Sequence, residues 1–99
     1  MRLTDTQRQT IQNIVTDELG PGVSVKLFGS RLYDAARGGD IDLFIELDEP
    51  VKHPAQLAAR LSVRIMRAMY GRKVDVLLSA PNLSEQAIHR LAREQGVFV

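Results

Sequence analysis

Residues 28–47 read FGSRLYDAARGGDIDLFIEL, and the prediction of the fold starts from this stretch. It begins where an apolar run ends in Gly29-Ser30, crosses a short polar connection, and enters a predicted strand that carries Asp40 and Asp42. Residues two apart in a strand project to the same face, so the two carboxylates point together. Adjacent aspartates repel each other unless a cation lies between them. Oxygen ligands without nearby cysteine suit Mg²⁺ or Mn²⁺.

The Gly-Ser pair is a candidate for the other half of a site. Backbone N–H groups at the start of a helix are unpaired and bind phosphate oxygens, and glycine lets a ligand approach the chain closely. A phosphate-binding backbone beside metal-binding carboxylates is suited to phosphoryl or nucleotidyl transfer. Each motif alone has a plainer interpretation, as a helix cap or as a solvated turn. Their combination in this order, with Asp75 in a later strand, favours the transfer site.

The order of these features resembles the polymerase-β-type nucleotidyltransferases, and among them the minimal nucleotidyltransferases (MNT) of bacteria and archaea. The resemblance covers nearly the whole chain. The residues that carry it are Gly29-Ser30 after a strand, Asp40-Ile41-Asp42 at the next strand, and Asp75 within KVDVL at 73–77.

The resemblance implies a role for each of these positions. Gly29 and Ser30 would hold the triphosphate. Asp40 and Asp42 would bind two metal ions, and Asp75 on a neighbouring strand would complete the metal site and help to activate the acceptor hydroxyl.

Two further residues beside the Gly-Ser pair affect this expectation. Arg31 is predicted to contact a phosphate, with pairing to Asp34 as the alternative. Asp34 stands where many members of the family carry a second glycine. Its carboxylate either disturbs triphosphate binding or hydrogen-bonds to a neighbouring arginine.

The composition narrows the class of protein. Ninety-nine residues predict one domain, 1–99, with a single core. A formal net charge of +1 does not indicate a general nucleic-acid binder. The absence of cysteine rules out a disulfide framework and a zinc–thiolate site and is compatible with the cytoplasmic location that we expect. No long apolar run or signal peptide is present, which argues against a membrane or secreted protein.

Hydrophobic spacing predicts an α/β (α+β) fold, a small mixed sheet packed with helices of the polymerase-β-like type. The predicted helices span 4–19, 30–36, 54–70 and 84–95, the strands span 23–28, 40–47 and 73–78, and 97–99 is a candidate edge strand. Thr4 with Gln7 has capping-box spacing, Ser84 is the predicted cap of the last helix, and Gly96 its end. If helices cover only the face of Ile41, the carboxylate face stays partly open.

Several polar residues have structural interpretations. Asp75 in an apolar strand is the strongest candidate for a third ligand, and a salt bridge to Lys73 or Arg72 is the alternative. One helical face carries arginines that are predicted to be solvated, or else to contact RNA or an acidic partner: Arg60, Arg64 and Arg67. Both histidines are predicted at the surface: His53 and His89. Both tyrosines are predicted in packing roles, with self-modification by a nucleotide at their hydroxyls as the alternative: Tyr33 and Tyr70.

The resemblance implies metal-dependent transfer of AMP from ATP to a hydroxyl of a partner protein. It further implies that the partner is a small helical HEPN-domain toxin and that this chain is its antitoxin. A partner, a second copy of the chain or the acceptor itself would complete the site. The alternatives are a non-catalytic antitoxin of the same fold, and AMP transfer to RNA or to a small molecule.

Overall fold

The computed structural model describes residues 3–29 and 41–99. Within this part of the chain no helix is long and apolar enough to cross a membrane. The predicted helix at 30–36 lies outside it. The elements follow the order α1 (Asp5–Leu19), β1 (Ser24–Phe28), β2 (Ile41–Glu46), α2 (Pro54–Ala68), β3 (Val74–Ser79), α3 (Ala87–Gln95) and β4 (Val97–Phe98).

The strands form a mixed sheet in the order β3-β2-β1-β4. Strand β2 is antiparallel to β1 and parallel to β3, and β4 is antiparallel to β1. Parallel neighbours need a crossover connection, which α2 supplies. The predicted mixed sheet packed with helices and the edge strand at the end are confirmed.

One face of the sheet packs against α1 and α2. Ile41, Leu43 and Ile45 alternate along β2 and are fully buried on this face. The helices meet them with apolar side chains at helical spacing: Ile11, Ile14 and Val15 from α1, and Leu57, Leu61 and Ile65 from α2. Because burial of apolar surface is the main stabilising term in folding, this layer is the principal core.

The predicted N-terminus of α1 is confirmed, whereas that of α3 is wrong. Thr4 Oγ1 accepts from the Gln7 N–H at 3.1 Å, and Gln7 Oε1 accepts from the Thr4 N–H at 2.9 Å. Helix α3 begins after Gln86 instead of at Ser84. The Gln86 N–H donates to His89 Nδ1 at 3.0 Å, so a side chain from within the helix caps it.

Helix α3 covers the opposite face of the sheet. It buries Phe44 completely, together with Phe28 and Ala92, and Leu77 packs at the edge of this second cluster. Helices therefore lie on both faces, and the condition under which the carboxylate face would stay open, helices only on the Ile41 face, is not met. Among the described residues, the carboxylate face is open at the end where Asp42 lies.

Arg93 links α3 by ion pairs to β2 and to Glu85 in the segment just before the helix. Its guanidinium donates to Glu46 Oε2 at 2.9 Å and to Glu85 Oε1 at 2.7 Å, and it stacks over the Phe44 ring at 5.5 Å. The hydrogen bond from Arg93 lowers the pKa of Glu85. The same bonds raise the pKa of Arg93.

His89 is buried, with 7% of its surface exposed, so its predicted place on the surface is wrong. Because Nδ1 accepts the Gln86 N–H, the ring proton is on Nε2, which donates to the Leu78 carbonyl at 3.0 Å. The two bonds satisfy both ring nitrogens and attach α3 to β3. Helical spacing contains the signal for this burial, because His89 precedes the inward-facing Ala92 by three residues.

Two of the three arginines on α2 bind α1. Arg60 Nε lies 2.8 Å from Glu18 Oε2, and Arg64 Nη1 lies 2.9 Å from Glu18 Oε1 and 2.8 Å from Asp17 Oδ2. The predicted solvated stripe is thus an interhelical ion-pair cluster at Arg60 and Arg64, and only Arg67 is exposed without such a partner among the described residues. The hydrogen bond from Arg64 is the largest of the effects that lower the pKa of Glu18.

Replacing Glu18 should cost stability in a pH-dependent way. A carboxyl whose folded pKa lies below its ordinary value of 4.5 stabilises the fold above that pH, and the contribution is lost as the pH falls. We expect Glu18→Gln to lower the free energy of unfolding by about 0.5–1 kcal/mol at neutral pH. The difference from wild type should shrink steadily as the pH falls below 4.5 in urea titrations.

The matched control is Glu94→Gln, which removes an exposed carboxylate of α3 outside these ion pairs. It should change the free energy of unfolding little at either pH. A Glu18→Gln deficit that stays constant from neutral to acid pH would contradict the ion-pair explanation.

Candidate functional site

Two aspartates lie side by side at one end of the sheet. Asp42 of β2 and Asp75 of β3 occupy the same register position in the parallel pair. Neighbouring strands are about 4.8 Å apart, and paired residues project to the same face, so the two carboxylates are adjacent. Asp42 is half-buried, and the Asp75 side chain is 54% exposed. The sheet thus presents two carboxylates next to each other.

Gly29 lies against the first of these carboxylates. It follows Phe28, the β1 residue that pairs with Asp42. Its φ angle is 77°, and a Cβ atom built on it would lie 2.5 Å from Asp42 Oδ2. Any other residue would strain the backbone and displace the carboxylate. The close approach therefore depends on glycine.

The structure brings together three of the six predicted site residues. Gly29, Asp42 and Asp75 lie at the same end of β1, β2 and β3, in that order across the sheet. The other three lie outside the described residues: Ser30, Arg31 and Asp40.

Asp75 is more exposed than its apolar neighbours in the sequence suggest. The sequence predicts a carboxylate in an apolar strand, where desolvation would be costly. However, β3 is an edge strand, and Asp75 faces solvent. Lys73 Nζ lies 4.0 Å from Asp75 Oδ2, so the alternative of a Lys73 salt bridge is observed, at the limit of an ion-pair distance. An exposed pair of this kind contributes little to stability.

A cleft of about 450 Å³ opens at the two carboxylates. One side of it holds Gly29, Asp42 and Asp75, and the other side is apolar and includes Leu77, Ile88 and Leu91. A hollow of about 500 Å³ lies at the far end of β2, beside Glu46 and Leu47, and contains none of the predicted site residues. The smaller cleft is therefore the candidate site.

The carboxylate pair fits a hard divalent cation. Oxygen ligands held side by side are what Mg²⁺ and Mn²⁺ take from proteins. The described ranges supply two of the three predicted carboxylates, and within them no group of three His, Asp or Glu side chains is assembled as a metal site. The third predicted ligand, Asp40, lies outside the described residues.

Tyr70 is a residue whose predicted packing role is wrong. Its side chain is 98% exposed, and its φ angle is 58°, in the left-handed region. It follows Met69, the C-cap of α2, and the Gly71 N–H donates to the Met66 carbonyl at 2.9 Å. Helices often end through a left-handed residue at this position. This backbone conformation leaves the ring in solvent.

Gly29→Ala should destabilise the protein more than an equivalent glycine elsewhere. A left-handed conformation costs a non-glycine residue about 1–2 kcal/mol, and at Gly29 the contact with Asp42 adds to that cost. Gly22→Ala is the matched control, because its φ angle is 81° and no atom lies within 4 Å of the added Cβ. We expect chemical unfolding to show a larger loss for Gly29→Ala. Equal losses would mean that the contact with Asp42 has no energetic consequence.

The sequence of the chain matches a known protein family. The family model described as "Nucleotidyltransferase domain" matches residues 9–95. No protein of curated function matches the chain. The predicted resemblance to nucleotidyltransferases is confirmed by the family model.

Three solved structures are similar in fold. A chain from the complex of tri-AMPylated HEPN toxin with MNT antitoxin of Shewanella oneidensis has a TM-score of 0.68 and 18% identity, over 97% of this chain and 71% of that chain. A chain from a mutant MntA-HpeT toxin–antitoxin complex has a TM-score of 0.65 and 18% identity, over 92% and 68%. Another chain from Shewanella oneidensis has a TM-score of 0.68 and 14% identity, over 97% and 71%.

These likenesses agree with the predicted polymerase-β-like fold. The family model spans β1, β2 and β3, the strands that hold Gly29, Asp42 and Asp75. The chain belongs to the nucleotidyltransferase domain family.

Proposed function

We propose that this protein transfers AMP from ATP to a hydroxyl group of a partner protein in a metal-dependent reaction. The observation that carries the proposal is the register pairing of Asp42 with Asp75 beside the glycine backbone of Gly29. Paired carboxylates next to an accessible backbone suit a triphosphate substrate with its cation.

In this proposal each site residue binds either a phosphate group or a metal ion. Gly29, Ser30 and Arg31 bind the β- and γ-phosphates. Two Mg²⁺ ions, or Mn²⁺, would be held by Asp40, Asp42 and Asp75 and, when bound, would polarise the α-phosphate and lower the pKa of the acceptor hydroxyl.

The reaction itself is a displacement at phosphorus. The acceptor oxygen attacks the α-phosphorus, the bond from that phosphorus to the oxygen bridging to the β-phosphate breaks, and pyrophosphate leaves. Asp75 is exposed at the cleft, so it would be the group that accepts the hydroxyl proton and passes it to solvent. Asp42 is half-buried against Gly29 and keeps a fixed position during this step.

A protein acceptor is supported by the openness of the cleft and by the neighbours. Among the described residues, nothing from this chain covers the Asp75 side of the cleft, which leaves room there for an acceptor from another molecule. One neighbour is the complex of a tri-AMPylated HEPN toxin with an MNT antitoxin. We therefore propose a HEPN-domain toxin as the partner and an antitoxin role for this chain.

Transfer should require the two described carboxylates. The protein is incubated with Mg²⁺, each nucleoside triphosphate labelled at the α-phosphate, and a cell extract from the source organism. We expect label from ATP to enter one small protein, and Asp42→Asn or Asp75→Asn to reduce labelling on the order of 100-fold or more. Asp48→Asn is the control, because this exposed aspartate follows β2 at the opposite end.

Other outcomes separate the alternatives. Label in RNA would identify a nucleic-acid acceptor, and label in the small-molecule fraction an acceptor of low mass. If Asp42→Asn binds and neutralises the partner as well as wild type does, and no label is transferred, the protein is a binding-only antitoxin.

Metal with nucleotide should stabilise the fold by mass action. At a hundredfold excess over the dissociation constant, a ligand adds about 2.7 kcal/mol to the free energy of unfolding. For a domain of this size we expect a rise in Tm of about 10 °C or more with Mg²⁺ and a non-hydrolysable ATP analogue. Asp42→Asn should lose most of this shift while Asp48→Asn keeps it. A wild-type Tm that does not respond would count against nucleotide binding.

A further inference from the structure

Lys73 lies beside Asp75 at the carboxylate end of the sheet. It immediately precedes β3, and its carbonyl accepts the Ile41 N–H at 2.9 Å, so the pairing of β2 with β3 extends to this residue. Residues two apart in a strand project to the same face, so the Lys73 and Asp75 side chains lie together. The Lys73 Nζ atom is 4.0 Å from Asp75 Oδ2. The sheet therefore holds an ammonium group next to a predicted metal ligand.

This ion pair contributes little to stability. The Lys73 side chain is 67% exposed and the Asp75 side chain is 54% exposed. Water screens both charges of such a pair, so its effect on the free energy of unfolding is small. The ammonium is a compact charge on a flexible aliphatic stem, and it can leave Asp75 for another anion. Lys73 is thus available to a ligand in the cleft.

A divalent cation at the carboxylate pair would compete with Lys73. Asp42 and Asp75 are adjacent in register and repel each other unless a positive charge is near. The Lys73 ammonium supplies such a charge beside Asp75 Oδ2. A metal ion that binds the same oxygen would take the place of the ammonium and release it.

The distances indicate where the released ammonium would bind. Mg²⁺ holds oxygen ligands at about 2.0–2.1 Å, so a phosphate oxygen on an ion bound to Asp75 would lie within about 4 Å of that carboxylate. The Lys73 Nζ atom lies at a similar distance from the same carboxylate, so rotation of its side chain would bring it to the phosphate. Among the described residues that line the cleft, none is a lysine or an arginine. Lys73 can supply this charge from the edge strand.

The order of the strands selects the α-phosphate. In the proposed function Gly29, at the end of β1, binds the β- and γ-phosphates, and the α-phosphate lies at the carboxylates of β2 and β3. Lys73 is on the β3 side, so the α-phosphate is the one within its reach. Negative charge develops on this phosphate during the displacement, and a fixed donor at that position lowers the barrier.

We propose that Lys73 binds the α-phosphate of the nucleotide and that, before a metal ion binds, its ammonium occupies the place of that ion at Asp75. This inference rests on the proposed function. The ammonium donates a hydrogen bond to a non-bridging oxygen of the α-phosphate and keeps its proton. No covalent bond to Lys73 forms or breaks.

The test compares the full chain with three variants. Lys73→Met removes the charge and Lys73→Arg keeps it. Lys52→Met is the matched control, because Lys52 is exposed in the segment that follows β2, at the opposite end of the strand. Mn²⁺ affinity without nucleotide is measured from the EPR signal of the free ion. The ³¹P NMR spectrum of bound α,β-methylene-ATP is recorded with Mg²⁺, and transfer from α-labelled ATP is measured in the cell extract.

We expect Lys73→Met to bind Mn²⁺ about two- to fivefold more tightly than wild type, because the competing ammonium is gone. The α-phosphorus signal of the bound analogue should move while the β- and γ-phosphorus signals stay, and transfer should slow on the order of tenfold or more. Lys73→Arg should keep the wild-type Mn²⁺ affinity and most of the transfer. Lys52→Met should match wild type in all three measurements.

Two results would overturn the inference and leave the proposed function intact. If Lys73→Met binds Mn²⁺ no more tightly than Lys52→Met, the ammonium does not occupy the place of the metal ion. If the α-phosphorus signal or the rate of transfer is the same in Lys73→Met as in wild type, Lys73 does not bind that phosphate. A wild-type protein that binds no analogue and transfers no label would overturn the proposed function and the inference with it.

Discussion

The site depends on the register of β2, a strand that is buried on both faces. Ile41, Leu43 and Ile45 fill the core under α1 and α2, and Phe44 fills the second cluster under α3. A slip by one residue would turn Asp42 into the principal core and an isoleucine or leucine out of it. The packing free energy of the core therefore also fixes the direction of the carboxylate. Stability and chemistry are specified by the same alternation of side chains.

The second constraint is the anchoring of α3. A buried histidine with both ring nitrogens bonded, and an arginine shared between Glu46 and Glu85, hold this short helix on the sheet. Such polar contacts are directional, whereas apolar contacts alone would permit rotation of the helix. Held in this way, α3 places two apolar side chains, Ile88 and Leu91, at the cleft, where both stay partly exposed.

The features that the sequence predicted correctly are local. The Thr4–Gln7 capping box, the alternation along β2 and the helix end at Gly96 depend on residues within a few positions of one another. Side chains close together in the sequence determine these local structures. The order of the motifs along the chain then indicates the protein family. Strand parity predicted that Asp42 lies on the polar face of β2, whereas its neighbour Asp75 was predicted from the resemblance to the family.

The features that were missed depend on contacts between distant segments. His89 is buried because α3 crosses the sheet over Phe44, and Asp75 is exposed because β3 is at the edge. Neither can be derived without the strand order. Arg60 and Arg64 bind Asp17 and Glu18 only because α1 and α2 lie side by side. Helical spacing placed these arginines on one face, but it did not reveal their partners.

The short strand β4 has a consequence for how the chain folds. It pairs with β1 at Lys26 and Leu27, and the Val99 N–H donates to the Val25 carbonyl, so segments about seventy residues apart meet at this edge. During synthesis β1 emerges early, and within the described ranges its outer backbone groups find a strand partner only when residues 97–98 arrive. An edge left open in this way invites pairing with other chains. The pairing of β4 with β1 thus covers this edge late in folding and limits aggregation.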